Sequence, residues 1–440
     1  MKSPELLAPA GNLKNLRYAI AYGADAVYAG MPRYSLRVRN NDFDTLEQLK
    51  VGVDEVHAAG KQFFLATNVL PHNTKVKSFL KDIEPVVELG PDALIMADPG
   101  LIMMVREKWP EVPVHLSVQA NTVNYAAVKF WHSLGLTRVI LSRELSLDEV
   151  AEIRQQCPEM ELEVFVHGAL CIAYSGRCLL SGYFNHRDAN QGTCTNSCRW
   201  QYDINPAVEN ETGDVVMKDL TASTTGNGQR HPESEGVYLI TEHERPDSQL
   251  PIEEDEHGTY IMNSKDLRAV EHVQRLVEIG VDSLKIEGRT KSHYYAARTT
   301  QVYRRAIDDA IAGRPFDPTL LGVLENLANR GYTDGFYQRH HTQDYQNYLS
   351  NHSASLQQQF VGEVESYDKE SGLALIDVKN KFAVGDTLEI MTPNGNSLIT
   401  LEGMSDEVGN PMSEAPGGGY RVKIPLPQDD YEMALIARNL

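Results

Sequence analysis

Residues 5–30 read ELLAPAGNLKNLRYAIAYGADAVYAG, and the order of textures within this stretch decides the fold. Leu6–Ala10 is a short apolar run. Leu13–Tyr22 places apolar residues at helical spacing, and Gly23 follows where a helix C-cap needs a left-handed residue. Ala26–Gly30 is a second apolar run. Both runs are continuous rather than alternating, as in strands buried on two faces. Strand, helix and strand in this order imply parallel pairing through a right-handed crossover.

The unit recurs along the chain. Further apolar runs are Phe63–Val69, Ala93–Asp98, Val114–Ala120, Arg138–Leu145, Val164–Leu170, Tyr260–Asp266 and Ser283–Gly288. Eight such units close a TIM-like (β/α)8 barrel. Nine runs are present, so one is surplus, and an open doubly wound sheet is the competing topology. The polar residues favour the barrel. The runs end in Tyr28, Asn68, Asp98, Gln119 with Asn121, Arg143 with Glu144, His167, Asn263 with Lys265, and Lys285 with Glu287 and Arg289. A closed barrel gathers these ends on one face, where active sites sit. Polar loop residues explain any single case, but less well charged or amide groups at nearly every end.

The barrel domain is expected over residues 1–335. Residues 203–257 interrupt it with a polar, acidic insertion that reads as a disordered segment or surface hairpin, with Val237–Ile240 as one strand. Thr299–Tyr332 is helical in pattern and leads out of the barrel. Strand-like runs at Val361–Tyr367, Leu373–Val378, Asp386–Met391, Leu398–Leu401 and Tyr420–Ile424, with turns at Asn394-Gly395 and Pro416–Gly419, predict a small antiparallel β-barrel domain over residues 356–440.

With 42% apolar residues in 440, the chain can bury a large core. The net charge of −20 argues against a general nucleic-acid coat. It leaves room for RNA on a local basic patch, because charge acts within a Debye length of roughly 8–10 Å. No secretory signal opens the chain, and no apolar run reaches the roughly 20 residues that span a bilayer. The expected compartment is the cytoplasm, with no membrane partner.

Four of the five cysteines fall within 28 residues, as Cys171-x6-Cys178-x15-Cys194-x3-Cys198. In a reducing compartment this clustering reads as a metal site before a disulfide framework. Four thiolates suit a [4Fe–4S] cluster, and they also suit tetrahedral zinc. Structural zinc favours Cys-x2-Cys knuckles, which are missing here. Iron–sulfur is therefore the first reading, zinc the second and plain thiols the third. Cys171 follows the run Val164–Ala169, which would put the cluster beside the catalytic face. Arg177, Arg199, Asn190, Gln191 and Asn196 flank the ligands and would tune a cluster. Cys157 reads as an idle buried thiol.

His167, four residues before Cys171, is read as facing substrate near the cluster; a core histidine bonded to backbone is the bland alternative. Arg37 and Arg39 share a face if their segment is extended, and Lys285, Arg289 and Lys291 lie at and beyond another strand end. Guanidinium forks suit carboxylate or phosphate ligands. Gly-x-Ser-x-Gly, His-Glu-x-x-His, Gly-x-Gly-x-x-Gly and P-loop patterns are missing, so hydrolase triads, zinc proteases and nucleotide cofactors are not indicated.

At Val164–Tyr183, VFVHGALCIAYSGRCLLSGY, followed by RDANQGTCTNSCRW, the chain resembles the collagenase-like peptidase family, peptidase U32. The opening stretch, HLSVQAN, RVILSREL, YIMNSKDL and SLKIEGRTKS resemble it too, leaving out only residues 203–257. The resemblance implies a barrel with an iron–sulfur cluster on Cys171, Cys178, Cys194 and Cys198. It implies an oxygen-independent RNA hydroxylase that forms 5-hydroxyuridine at the tRNA wobble position with prephenate as co-substrate; other members hydroxylate ribosomal RNA or ubiquinone precursors. The partners implied are the tRNA anticodon loop, prephenate and Fe–S assembly proteins. On that reading His167, Glu287 and Glu144 are the candidate proton-moving groups, and Arg37, Arg39, Asn68, Gln119, Lys285 and Arg289 the candidate substrate contacts. A peptidase and a non-catalytic Fe–S adaptor are the competing functions.

Overall fold

The computed structural model describes residues 2–31, 33–35, 43–170, 265–327, 329, 331–338 and 358–440, together with strands inside residues 207–260. Eight parallel strands form the barrel: β1 (Glu5–Pro9), β2 (Ala26–Gly30), β3 (Gln62–Ala66), β4 (Ala93–Met96), β5 (Val114–Leu116), β6 (Arg138–Ile140), β7 (Glu161–Ala169) and β8 (Ser283–Ile286). They pair in chain order, and β8 pairs in parallel with both β1 and β7, which closes the cylinder and rules out the open sheet.

The surplus ninth run, Tyr260–Asp266, is not a barrel strand. Its first residue ends Gly258–Tyr260, which pairs with Arg245–Asp255. Its last residue begins Asp266–Arg268, which lies antiparallel on the end of β7. An apolar run reports burial, not the neighbour that buries it. Within the insertion, Ala207–Glu209 pairs with Val215–Met217 and Tyr238–Glu242 with Arg245–Asp255, both antiparallel.

Local chemistry fixes where the barrel helices start. Asn12, Asp98 and Asn124 each accept a backbone N–H with the side chain, at the heads of α1 (Leu13–Ala21), α4 (Pro99–Lys108) and α5 (Tyr125–Ser133). Thr45 with Gln48 and Ser146 with Glu149 form full capping boxes for α2 (Leu46–Ala58) and α6 (Leu147–Gln156). The remaining barrel helices are α3 (Asn73–Val87), α7 (Val273–Ile279) and α8 (His293–Ile311).

Residues 358–440 form an eight-stranded antiparallel sheet around a second core that includes Val361, Ile376, Phe382, Ile390 and Ile424. Leu435–Asn439 lies between Thr387–Thr392 and Gln358–Asp368 inside that sheet, although the sequence pattern did not single it out. This domain is tied to the barrel through α1 and α8. Tyr22 donates from Oη to the carbonyls of Met391 and Met433 at 2.9 and 3.0 Å. Arg298, fully buried on α8, forks onto Glu389 at 2.6 and 2.9 Å. Tyr294 stacks on Phe360 at 4.8 Å.

Candidate active site

The barrel interior carries a chain of opposite charges. Arg138 reaches Glu5 at 2.7 Å, Glu161 at 2.9 Å and Glu163 at 3.2 Å, and Lys285 reaches Glu163 at 2.8 Å. Glu163 and Lys285 are buried, so each charge depends on its partner. Burial pushes the Lys285 ammonium below its ordinary range and Glu163 opposes that. Lys285 also lies 4.3 Å from the Tyr28 ring centroid. Strand parity turns the side chain of this expected substrate contact into the barrel, where the internal carboxylate of Glu163 holds it.

His167 lies away from the barrel interior. The pairing of β7 with β8 runs Lys285 to Phe165 and then Ile286 to His167, passing over Val166. This bulge reverses parity. Phe165 faces the interior beside Lys285. His167 turns outward among Tyr295, Tyr303 and Tyr332, with ring centroids 5.5–5.8 Å away. Burial, helped by the charges of Arg268 and Lys291, lowers its pKa to about 3, so the ring is neutral. It is the core histidine of the bland reading, not a group facing substrate.

At the C-terminal mouth, Arg143 and Glu287 come together. Arg143 sits 3.8 Å over the Phe165 ring centroid, donates to the Ala169 carbonyl at 2.9 Å and pairs with Glu287 at 3.2 Å. The Glu287 backbone is clamped on both sides. Its N–H donates to the His167 carbonyl, and its own carbonyl accepts from the Tyr295 hydroxyl, each at 2.8 Å. Gly168 makes this approach possible. Its φ is +103°, and a Cβ there would lie 2.4 Å from the Glu287 carbonyl oxygen. Arg143 was legible only as a charged strand end; its pairing with Glu287 has no local sequence signal.

Ser142 Oγ lies within hydrogen-bond reach of the Glu144 carboxylate and of Asn121 Oδ1, the latter at 2.8 Å, and its single proton serves one of the two acceptors at a time. Asn121 adopts the left-handed conformation at φ 53° and ends the short helix Val118–Ala120. Asn68 donates to Ser117 Oγ at 3.3 Å. Arg289 donates to Ser35 Oγ at 2.8 Å and lies 5.7 Å from the Tyr28 ring centroid. Gln119 differs from these: it is 7% exposed, yet neither its amide nitrogen nor its amide oxygen has a hydrogen-bond partner. Such burial costs about 1–3 kcal/mol per unpaired group, which a site that binds something can tolerate. Arg37 and Arg39 lie outside the described residues, as do Cys171, Cys178, Cys194 and Cys198.

Among the described residues one group could offer a metal three ligand atoms: Glu271, His272 and Asp334, within 4.8 Å of one another. His272 and Asp334 are already hydrogen-bonded at 2.9 Å. A cavity of about 540 Å³ opens at the opposite end of the barrel, lined by Gln62, Asp92, His115, Arg138 and Glu161 among others. That end of a (β/α)8 barrel normally serves stability.

No helix among the described residues is long and apolar enough to cross a membrane. The chain is 60% identical over 446 residues to "tRNA hydroxylation protein P" of Escherichia coli (strain K12), covering 100% of this chain and 97% of that protein. It is 34% identical to "Uncharacterized protease MJ0090" of Methanocaldococcus jannaschii, covering 88% and 86%. It is 30% identical to the "23S rRNA 5-hydroxycytidine C2501 synthase" of Escherichia coli (strain K12), covering 70% and 40%. Residues 11–347 match peptidase family U32 and residues 357–438 match the peptidase family U32 C-terminal domain. The chain therefore belongs to peptidase family U32.

Proposed function

We propose that this protein hydroxylates tRNA, forming 5-hydroxyuridine at the wobble position of the anticodon loop, with prephenate as co-substrate and without molecular oxygen. The observation that carries the reading is the full-length similarity to a tRNA hydroxylation protein, at 60% identity. The mouth supports it with groups suited to a polar, flipped-out ring: a buried unpaired amide at Gln119, an arginine–carboxylate pair at Arg143 and Glu287, and a hydroxyl-bonded carboxylate at Glu144. A base inside a stacked loop must leave its stack to reach such a mouth.

We further propose that Cys171, Cys178, Cys194 and Cys198 hold a [4Fe–4S] cluster, delivered by Fe–S assembly proteins. Four soft thiolates are the donor set it needs, and Cys171 directly follows Leu170, just past the end of β7. Bound there, the cluster would supply electron transfer or Lewis acidity. The protein's own groups do the rest. Arg143 and Arg289, with Arg37 and Arg39, offer guanidinium charge to the carboxylates of prephenate or to phosphates. Glu144 and Glu287 are carboxylates able to take or return a proton at the ring. Asn68 and Gln119 offer amides to polar edges. The cytoplasm, where tRNA and thiolates coexist, is the proposed compartment.

The peptidase reading draws on the family's description and on the archaeal relative's name. Among the described residues, however, the histidine hydrogen bonds and ion pairs run to Asp92, Glu271, Asp334, Gln338, Tyr303 and Glu363, not to a serine, threonine or cysteine that a histidine could activate as a hydrolytic nucleophile. Deletion of the gene, growth without oxygen and mass spectrometry of tRNA nucleosides test the proposal. Loss of 5-hydroxyuridine derivatives, restored by the gene, is the expected result. Unchanged levels under anaerobic growth, where no oxygen-dependent enzyme can substitute, would refute it.

A further inference from the structure

β5 runs straight into the short helix that carries Gln119 at the barrel mouth. His115, on β5, packs edge-on against Phe64 at 4.7 Å, and the charges of Arg138 and Lys285 act on it. Ser117, two residues on, receives Asn68. Gln119, two further on, lies past the end of β5 in the short helix Val118–Ala120 and is buried at the mouth. The same turn buries the Thr122 hydroxyl at 2% exposure, again without a hydrogen-bond partner. The amides of Asn68 and Asn121 and the hydroxyls of Ser117 and Ser142 are bonded within the protein, whereas Arg143 Nε, like the Gln119 amide and the Thr122 hydroxyl, is buried without a partner.

We propose that Gln119 reads the Watson–Crick edge of the target pyrimidine: its amide nitrogen donates to O4 of uracil while its amide oxygen accepts from N3–H. This rests on the functional reading above and adds the contact by which the ring is recognised. A side-chain amide carries one donor and one acceptor side by side in a plane. A carboxylate ligand would use the nitrogen and leave the oxygen unpaired, and a hydrocarbon would use neither. A cyclic imide such as uracil presents the complementary acceptor and donor at the same spacing, the geometry that lets glutamine read a base edge bidentately. Cytosine has the reverse order, and an amide rotated by half a turn would serve it. Gln119 therefore selects a pyrimidine edge and aligns the ring; other groups must choose between the two bases.

The test uses the holoprotein, an anticodon stem-loop carrying the target uridine, and the same stem-loop with N3-methyluridine. Replacing Gln119 by Met removes both hydrogen bonds at similar size. Gln119→Met should lower kcat/KM on the uridine stem-loop roughly 10- to 1000-fold. N3-methylation should cost the wild type a similar factor and cost Gln119→Met little, since the bond is already gone. The melting temperature of Gln119→Met should equal or exceed that of the wild type, because an unpaired buried amide has been replaced by an apolar side chain. Undiminished turnover by Gln119→Met, or a turnover loss matched by a large fall in melting temperature, overturns the inference alone. A wild type that leaves the uridine unchanged overturns the functional reading and this contact with it.

Discussion

Arg143 and Glu287 meet at 3.2 Å across the barrel mouth, although 144 positions separate them in the chain. The pair joins the end of β6 to the end of β8 over the face of Phe165, so the guanidinium is fixed by a ring, a carbonyl and a carboxylate at once. A lysine could keep the charge but not that fork. Arg143→Lys should therefore reduce tRNA hydroxylation about 10- to 100-fold, as expected for a displaced catalytic group, with only a small change in melting temperature. Glu287→Gln tests the other end. If both variants retain full 5-hydroxyuridine levels in anaerobic cells, the pair is only a brace between strands.

The barrel and its C-terminal domain depend on Arg298. Its guanidinium is fully buried, and its partner Glu389 also accepts from Gln358 and Asn396. Truncating Arg298 leaves the partly buried Glu389 without its cation. Arg298→Ala should cost about 3–5 kcal/mol in denaturant unfolding, the range for breaking a buried pair from one side. The double variant Arg298→Met with Glu389→Leu should recover part of that loss, since no stranded charge remains. A single variant as stable as the wild type would show that the interface does not rest on this pair.

The barrel was readable because parallel strands buried on both faces leave continuous apolar runs, as in Ala93–Met96 and Ser283–Ile286, where every residue is buried. What the pattern could not say was which neighbour each run meets. Tyr260–Asp266 looked like one strand and is shared between two sheets. The side-chain directions at the site depended on still less visible features. One extra residue at Val166 turned His167 from the interior to the helix layer, and only the neighbouring Gly168 hints at it. Lys285 and Arg143 are both cations on or just past a strand. Parity alone sends the first into an ion pair inside the barrel and leaves the second at the mouth.

His167 gives the protein a pH-dependent stability with a definite sign. Burial lowers its pKa from 6.5 to about 3 in the folded state. Between those values the unfolded chain binds a proton that the folded one does not, so stability rises with pH across this window. The contribution is complete above about pH 6.5 and is lost as pH falls toward 3. Replacing His167 by Phe removes the titration and should flatten that part of the stability profile, whatever its effect on stability at neutral pH. Chemical denaturation at a series of pH values makes the comparison. An unchanged slope in the variant would mean that other groups carry the acid sensitivity. Glu389 acts in the same sense at lower pH. Burial alone would raise its pKa, but the hydrogen bond and charge of Arg298 outweigh that and hold it below 4.5, so its contribution also fades in acid.

Gly168 should tolerate no side chain. Its φ of +103° is one that L-residues rarely adopt, and an added Cβ would meet the Glu287 carbonyl at 2.4 Å. Gly168→Ala must therefore strain the backbone or push β8 away from β7, at a cost of about 1–3 kcal/mol for the strain alone. Because the displaced residue is Glu287, activity should fall further than stability does. Gly280, also at positive φ but with nothing closer than 3.9 Å, is the matched control. Gly280→Ala should lose some stability and no hydroxylation, and equal effects of the two substitutions on activity would remove the special role given to the β7 bulge.

Four thiolates on one [4Fe–4S] cluster mean about four iron and four sulfide per chain, with a broad absorbance in the visible that bleaches on reduction. Protein purified without oxygen should be brown, and chelation under oxidising conditions should remove colour and hydroxylation together. Each of Cys171→Ala, Cys178→Ala, Cys194→Ala and Cys198→Ala should cut iron content sharply, whereas Cys157→Ala should leave it unchanged, because Cys157 is buried at the end of α6 with its thiol bonded to the Tyr125 carbonyl. Zinc in place of iron would give a colourless protein that keeps one metal per chain and needs the same four residues. That outcome would preserve the ligand set while removing the redox chemistry from the proposed reaction. Iron that survives loss of any two of the four cysteines would remove the ligand set itself.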